Sequence, residues 1–298
     1  WFLNFPNPPQ YMRNMVYLNT GTNRFMEVGY LSGLSATDWT WTVKFGDLDN
    51  DGYEDVYFTN GMSRDFGNGD AKDRFRSQKS KSVNNFDFWN DQEPYKLKNM
   101  VFKNLGDLKF DDVSSNWGLD YLGVSTGSAL GDLDGDGDLD AIVGDYSGKL
   151  HFLENISSSP AIINLSISIS PLTDVFNNIF DFGFNAHPTL FDIDNDNDLD
   201  LVVGEAIGNL NYIENIGDSS NFNFDLRSET FGGVSVSEWW TNIGMSSPTF
   251  YRNGSDIELY VGSKRGAIYK YNNIDNNLSG NFNLVDSNFN KIFAGTHS

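Results

Sequence analysis

The amino-acid sequence predicts an all-β fold, a β-propeller built from four-stranded blades. Three observations lead to this prediction. An acidic phrase recurs three times, a phrase rich in aromatic residues and asparagine alternates with it, and neighbouring copies lie about 60 residues apart. Each acidic phrase is followed by a short apolar run that ends at glycine, and no segment shows a sustained helical period. Short strands with this period are typical of propeller blades, whereas a calcium-binding β-solenoid would have a far shorter period.

The acidic phrase defines the first half of each repeat. It reads FGDLDNDGYEDVYFTNG at residues 45–61, LGDLDGDGDLDAIVGDYSG at residues 130–148 and FDIDNDNDLDLVVGEAIG at residues 191–208. In every copy a bend rich in aspartate precedes an apolar run, which predicts a tight turn and then a buried strand. A shorter copy, SPTFYRNGSDIELYVGSKRG at residues 247–266, lacks two residues and carries Arg252 where the others have their first aspartate.

The second phrase sets the length of the repeat and shows where it is interrupted. Its five copies begin at residues 15, 100, 150, 210 and 268. Asp132 and Asp192 are 60 positions apart, whereas Asp47 and Asp132 are 85 positions apart. We therefore interpret residues 1–298 as one propeller region, with residues 62–98 as a loop inserted within the first complete blade.

The insertion differs in composition from the rest of this acidic chain. Its basic side chains are Arg64, Lys72, Arg74, Arg76, Lys79, Lys81, Lys96 and Lys98. One interpretation is a loop that contacts a partner or another domain. The alternative is a solvated loop that covers the edge of a blade, and the sequence favours neither.

The spacing of the aspartates predicts metal binding. We number the positions from the first aspartate of each acidic phrase, which is Asp47, Asp132 or Asp192. Carboxylates then occupy positions 1, 3, 5 and 9. Position 6 is Gly52, Gly137 or Asn197, which suits a loop that curls around an ion. Hard oxygen ligands in this number suit Ca²⁺ better than Mg²⁺, which keeps more of its water. Arg252 argues against a fourth site. Including the position-7 carbonyls, the predicted ligands of three calcium ions are Asp47, Asp49, Asp51, Tyr53 and Asp55; Asp132, Asp134, Asp136, Asp138 and Asp140; and Asp192, Asp194, Asp196, Asp198 and Asp200.

An EF-hand also places ligands at alternate positions and has to be weighed. Its loop requires a bidentate glutamate at position 12 and a helix on either side. Position 12 is Phe58, Val143 or Val203, and each lies in a strand-like apolar run. The EF-hand is therefore rejected, and the remaining alternative is an acidic turn that is only solvated. Three copies of one spacing favour the metal site.

The composition limits the kinds of partner. The 298 residues carry a formal net charge of −21, which argues against nucleic acid and anionic membrane surfaces because both would be repelled. The chain has no cysteine, so disulfide bonds and thiolate metal sites are excluded. There is no run of 18 apolar residues, so we expect no membrane insertion. Calcium loops of extracellular modules have dissociation constants of roughly 10⁻⁴ to 10⁻³ M, which predicts an extracellular location.

The repeated phrases resemble the FG-GAP and VCBS repeats of calcium-binding β-propellers, the architecture of integrin α-subunit heads. FGDLDNDGYEDVYFTNG with NMVFKNLGDLKFDDVSSNWGL is further similar to the group of cartilage acidic protein and the ASPIC/UnbV proteins, and GKLHFLEN and GNLNYIEN resemble bacterial VCBS repeats. The resemblance implies about seven blades, structural calcium and a secreted or cell-surface protein. Because the chain is short for seven blades, we expect it to be part of a larger ring.

The sequence carries none of the common catalytic signatures. No GxSxG motif or phosphate-binding loop occurs, and His151, which aligns with Asn211 and Tyr269, is predicted to occupy a surface position on a strand. We predict a non-catalytic extracellular module that serves adhesion or surface assembly by binding a protein at the cell surface. One alternative is a glycan-binding module, which would need an exposed tryptophan such as one of those in EWW at residues 238–240. The other is a polysaccharide-acting enzyme with its site in the central funnel.

Overall fold

The computed structural model describes residues 13–78, 88, 91–157, 165–169, 171–238, 240 and 242–291. These residues form four four-stranded sheets and two two-stranded sheets, and all the paired strands are antiparallel. Each four-stranded sheet is one blade of a propeller. The prediction of an all-β propeller fold is therefore confirmed.

The elements follow the repeats along the chain. A hairpin and a one-turn helix come first: β1 (Tyr17–Asn19), β2 (Phe25–Glu27) and α1 (Gly29–Ser32). Blade 1 comprises β3 (Thr40–Gly46), β4 (Asp55–Asn60), β6 (Met100–Asn104) and β7 (Phe110–Asp112), with α2 (Gly69–Gln78) and β5 (Leu97–Lys98) between β4 and β6. After α3 (Ser114–Trp117) and β8 (Leu122–Gly123), blade 2 comprises β9 (Ser125–Gly131), β10 (Asp140–Asp145), β11 (Leu150–Asn155) and β12 (Leu165–Ile169). Blade 3 comprises β13 (His187–Phe191), β14 (Asp200–Gly204), β15 (Leu210–Asn215) and β16 (Phe224–Ser228), and a 3₁₀ turn (Phe231–Gly233) follows it. Blade 4 comprises β17 (Ser247–Asn253), β18 (Asp256–Gly262), β19 (Ile268–Asn272) and β20 (Asn283–Asp286), with a 3₁₀ turn (Phe289–Lys291) after it.

The order of strands within each blade follows their order along the chain, and in blade 1 the insertion with β5 lies between the paired strands β4 and β6. The first strands of consecutive blades contact one another: β3 contacts β9, β9 contacts β13, and β13 contacts β17. The first strands therefore line the inner side of the arrangement, and the fourth strands lie outside.

The second strand of each blade carries much of the core. Every residue of β4 and β14 is buried, which explains the apolar run that follows each acidic phrase. Three core clusters each draw side chains from two consecutive blades; Tyr57 of blade 1, for example, packs in one cluster with Val143 and Leu153 of blade 2. Burial of apolar surface between blades therefore holds the blades side by side.

Glycines at the ends of these second strands allow neighbouring blades to approach closely. A Cβ atom on Gly144 would lie 2.3 Å from the carbonyl oxygen of Ala186, and one on Gly204 would lie 2.2 Å from that of Ser246. The contacted residues come directly before the first strand of the next blade. In blade 4 a Cβ atom on the equivalent Gly262 would meet its nearest neighbours at 3.7 Å, an ordinary van der Waals distance.

The Gly204→Ala substitution is expected to destabilise the protein. The added methyl group overlaps the backbone of the next blade, and overpacking of this kind costs about 1–3 kcal/mol of unfolding free energy. Gly262→Ala is the matched control, since it makes the same change at the same blade position without the overlap. Urea denaturation of both variants measures the difference, and equal midpoints would contradict the close-packing role of Gly204.

His151 corrects one prediction from the sequence. Instead of occupying a surface position, its side chain is buried, and Nε2 lies 3.0 Å from Oδ2 of Asp145. The third strand of a blade packs against neighbouring blades, so a polar side chain there is shielded from solvent and needs a hydrogen-bond partner. The aligned Asn211 is also buried and donates to the carbonyl oxygen of Val203 at 3.1 Å.

The insertion lies between β4 and β6, the second and third strands of blade 1. Within it, Phe75 of α2 packs against Phe88 with ring centroids 5.1 Å apart. Its basic residues Lys79 and Lys81 lie outside the described residues, as does Trp239. Within the part of the chain that the structure describes, no helix has both the length and the hydrophobicity to cross a bilayer.

Candidate metal centres

The three acidic loops occupy equivalent places in consecutive blades. Each joins the first strand of its blade to the second, and we refer to residues 47–55, 132–140 and 192–200 as loops 1, 2 and 3. Neighbouring loops touch, because Asn50 Nδ2 of loop 1 donates to Asp138 Oδ1 of loop 2 at 2.6 Å. The loops therefore lie on the same side of the blades.

The backbone curls each loop around its aspartates. Positions 4 and 6 have positive φ in all three loops, and the residues there are Asn50, Gly52, Gly135, Gly137, Asn195 and Asn197. Glycine adopts this conformation freely and asparagine tolerates it, which accounts for these two residue types. The position-1 carboxylate fixes the turn; that of Asp47 accepts from Asp51 N at 3.0 Å and from Gly52 N at 2.8 Å.

Three carboxylates of each loop converge. In each group the side chains offer oxygen atoms within 4.8 Å of one another, and the groups are Asp47, Asp49 and Asp55; Asp132, Asp134 and Asp136; and Asp192, Asp194 and Asp196. Position 5 behaves differently in loop 1, where Asp51 pairs with Lys103 Nζ at 2.9 Å. The backbone carbonyls of Tyr53, Asp138 and Asp198 remain predicted ligands.

The position-9 aspartate has a structural role that the sequence did not reveal. Asp140 is 1% exposed; its Oδ2 accepts from Leu133 N at 3.0 Å and its Oδ1 accepts from Asn155 N at 2.8 Å. Asp55 and Asp200 accept the equivalent pairs of backbone hydrogen bonds. Each of these carboxylates therefore ties the start of its loop to the end of the third strand.

Burial makes these carboxyl groups sensitive to a nearby positive charge. It raises the pKa of Asp140 and of Asp200 to about 7 and that of Asp55 to about 6, although backbone hydrogen bonds act to lower each value. Burial also raises the pKa of Asp134 and Asp194, and neighbouring carboxylates add to the effect. A cation in the loop would favour the ionised form of each group.

Within the described part of the chain, two buried oxygen atoms of the loops have no hydrogen-bond partner. They are Oδ1 of Asp49 and Oδ1 of Asp198, in side chains whose residues are 4% and 5% exposed. An unpaired buried carboxylate oxygen is costly, and coordination to a metal ion would satisfy it. The donors gathered here are oxygen atoms, with no imidazole or thiolate among the predicted ligands, which is the set that Ca²⁺ prefers. The residues of the loops therefore fit calcium.

In blade 4, an arginine occupies the position at which the other three blades have the first aspartate of their loop. Arg252 Nη2 donates to the carbonyl oxygen of Asp192 at 2.9 Å, and Nη1 lies 3.9 Å from Oδ1 of Asp275. The position-9 equivalent, Glu258, accepts from Tyr260 Oη at 2.6 Å. An arginine thus links blade 4 to the first residue of loop 3, which is consistent with the loss of the leading aspartate.

Comparison with known protein families finds a match to the model of a single repeat. Residues 7–58 match the model of an FG-GAP-like repeat. The matched stretch includes the hairpin β1–β2, the first strand of blade 1 and loop 1, so the sequence repeat is offset from the blade. No curated protein matches the chain.

Four four-stranded blades, three of them with an acidic loop between the first and second strands, define the chain as a β-propeller. The repeat match and the blade arrangement together support an FG-GAP β-propeller. The comparisons do not show the finer similarity to cartilage acidic protein and the ASPIC/UnbV group. An FG-GAP β-propeller suggests a protein-interaction module and is typically non-catalytic.

Proposed function

We propose that the protein is an extracellular, calcium-stabilised β-propeller that serves adhesion or surface assembly by binding another protein, without catalysis of its own. The observation that carries the proposal is the convergence of three carboxylates in each of three equivalent loops. Bound calcium would neutralise their mutual repulsion. The chain supplies the rest: the position-1 and position-9 aspartates hold each loop in shape and connect it to the third strand.

The extracellular setting is proposed from the kind of site. Exposed loops of this type bind calcium weakly, with dissociation constants of roughly 10⁻⁴ to 10⁻³ M, which suits extracellular calcium and would leave the loops largely empty in a resting cytosol. Isothermal titration calorimetry of the calcium-depleted protein tests this. We expect a tightest dissociation constant in that range, whereas submicromolar binding at all sites would contradict the extracellular assignment.

A larger ring is proposed from the outward faces of the first and last blades. Val43 and Phe45 of blade 1 alternate with residues that face blade 2, and they are 43% and 59% exposed. Tyr251 of blade 4 alternates with the buried Phe250 and is 58% exposed. The glycine at position 262 repeats those at which a following blade approaches closely. Further blades on both sides would cover these faces.

The interaction role is tested by an array of secreted and cell-surface proteins. Fluorescently labelled protein is applied in calcium and in chelator, with Asp134→Ala as the control variant that weakens one calcium site. We expect discrete protein partners whose signals fall in chelator. A preparation that is folded and calcium-loaded but binds none of these proteins would argue against adhesion.

Glycan binding is a second candidate because of a surface near residue 240. Trp240 is 57% exposed, as a platform for sugar stacking requires. Two residues earlier, Glu238 is buried, and its Oε1 lies 3.3 Å from Arg265 Nε without a hydrogen bond. A glycan array in calcium and in chelator distinguishes the candidates, since binding that is lost in Trp240→Ala would favour the lectin-like function.

A further inference from the structure

One position of the third strand separates the three loops into two kinds. The asparagine that donates its backbone N–H to the position-9 aspartate is preceded by Lys103 in blade 1, by Glu154 in blade 2 and by Glu214 in blade 3. Strand pairing confirms that these residues are equivalent, because the residue before each of them pairs with the residue after the position-9 aspartate. The charge next to the loop is therefore reversed in blade 1.

Lys103 reaches into loop 1. Its Nζ donates to Oδ2 of Asp49 and lies 2.9 Å from Oδ2 of Asp51. A lysine that pairs with two carboxylates keeps its proton, so the ammonium group is charged. Lys103 thus places a positive charge among the carboxylates that the sequence assigns to calcium.

The geometry of loop 1 reflects this contact. In loops 2 and 3 the position-5 carboxylate belongs to the converging group, whereas in loop 1 the group consists of positions 1, 3 and 9, and position 5 pairs with the lysine. The side chain of Lys103 is 27% exposed, so its ammonium group has a path to water if it leaves the loop.

Loops 2 and 3 have carboxylates at the same point. Glu154 and Glu214 occupy the register position of Lys103 in their blades, one residue before the asparagine that donates to the position-9 aspartate. Glu214 also pairs with Arg227, which lies on the outer strand of blade 3. These two loops therefore lack the positive charge that Lys103 places in loop 1, a difference that favours a divalent cation.

Loop 1 nevertheless retains a ligand that the lysine does not use. Oδ2 of Asp49 is engaged by Lys103, but Oδ1 of this 4% exposed residue has no hydrogen-bond partner among the residues that the structure describes. A buried, unpaired carboxylate oxygen within the group of Asp47 and Asp55 points to a cation ligand in addition to the ammonium group. Loop 1 thus has carboxylate ligands for a cation and also an ammonium group, that of Lys103, which competes for them.

We propose that Lys103 makes loop 1 a distinct, weaker calcium site, in which the ion binds only after the ammonium group has left Asp49 and Asp51, whereas loops 2 and 3 bind calcium without such competition. The inference rests on the proposed calcium function and deepens it. Calcium would fill loops 2 and 3 first, and loop 1 would respond to higher calcium concentrations.

Calcium titration of the complete chain and of the Lys103→Glu variant tests the proposal. Native mass spectrometry at buffered free calcium counts the ions, and calorimetry gives their affinities. We expect two ions of similar affinity in the wild-type protein and a third that binds at least tenfold more weakly. In Lys103→Glu the third ion should bind within about threefold of the others, because the competing ammonium group is replaced by a carboxylate.

The controls separate charge from position. Lys109→Glu makes the same charge change in the same hairpin, at an exposed residue that forms no ion pair with a described residue, and should keep the wild-type pattern. Lys103→Met removes the ammonium group without adding charge and should still strengthen the third site severalfold. The reciprocal Glu154→Lys variant should convert one of the two tighter ions to the weaker class.

Each possible outcome has a separate meaning. Three ions of equal affinity in the wild-type protein, unchanged in Lys103→Glu and Lys103→Met, would overturn the role of Lys103 while leaving the calcium function intact. Absence of calcium binding in folded wild-type protein would instead overturn the calcium function itself. Equal effects of the substitutions at positions 103 and 109 would show that only net charge matters and would also overturn the proposal.

Discussion

Chelation of calcium is expected to lower the melting temperature of the protein by about 10 °C. An ion that binds only the folded state adds about 1.4 kcal/mol when its free concentration is about ten times its dissociation constant. Two or three occupied loops would then add about 3–4 kcal/mol. Each kcal/mol shifts the melting temperature of a domain of this size by about 2–4 °C, which gives the expected change.

Thermal unfolding followed by circular dichroism, with calcium and with EDTA, measures this effect. Magnesium at the same concentration is the control for ionic screening, and it should restore little of the stability because it prefers fewer protein ligands. Restoration should instead follow calcium concentration. A melting temperature that is the same in EDTA and in calcium would be incompatible with structural calcium in these loops.

The sequence was sufficient to predict the fold and the location of the acidic loops because that information is local. Four of the five predicted ligands of a loop are side chains within nine consecutive residues, and the turn residues lie among them, as Gly52 does between Asp51 and Tyr53. The apolar runs after the loops became buried second strands. Repetition of these local patterns was enough to define the blade.

Contacts between distant parts of the chain were not visible in the same way. Lys103 and Asp49 are 54 positions apart, and Asn50 and Asp138 are 88 positions apart, so only strand pairing and blade packing bring them together. The aligned third strands read FKN at residues 102–104, LEN at 153–155 and IEN at 213–215. The sequence did therefore contain a sign of the charge reversal at Lys103. Its meaning depended on knowing that this side chain faces the loop.

The burial of His151 shows a related limit. Its equivalents Asn211 and Tyr269 are polar or amphipathic, which suggested a surface strand. Between two blades, however, polar side chains are buried when a partner lies within reach, as Asp145 does for His151. Polarity at one repeat position therefore did not predict exposure, because the packing of neighbouring blades decides it.

The largest effect of a single substitution is expected for Asp140→Ala, and it should persist when calcium is removed. The Asp140 carboxylate accepts hydrogen bonds from Leu133 N and Asn155 N in a buried setting. Its removal leaves two buried donors unpaired, each at a cost of about 1–3 kcal/mol, so the free energy of unfolding should fall by about 2–6 kcal/mol in EDTA as well as in calcium.

Asp134→Ala provides the matched comparison, because position 3 of the same loop belongs to the carboxylate group but does not tie the loop to the third strand. In calcium it should lower stability by nearly the contribution of one ion. In EDTA it should cost little, since it removes one of several mutually repelling charges. Urea denaturation of both variants under both conditions gives the four values. If Asp140→Ala also lost its effect in EDTA, position 9 would act only as a calcium ligand, and the hydrogen-bonded connection between loop and third strand would not contribute to stability.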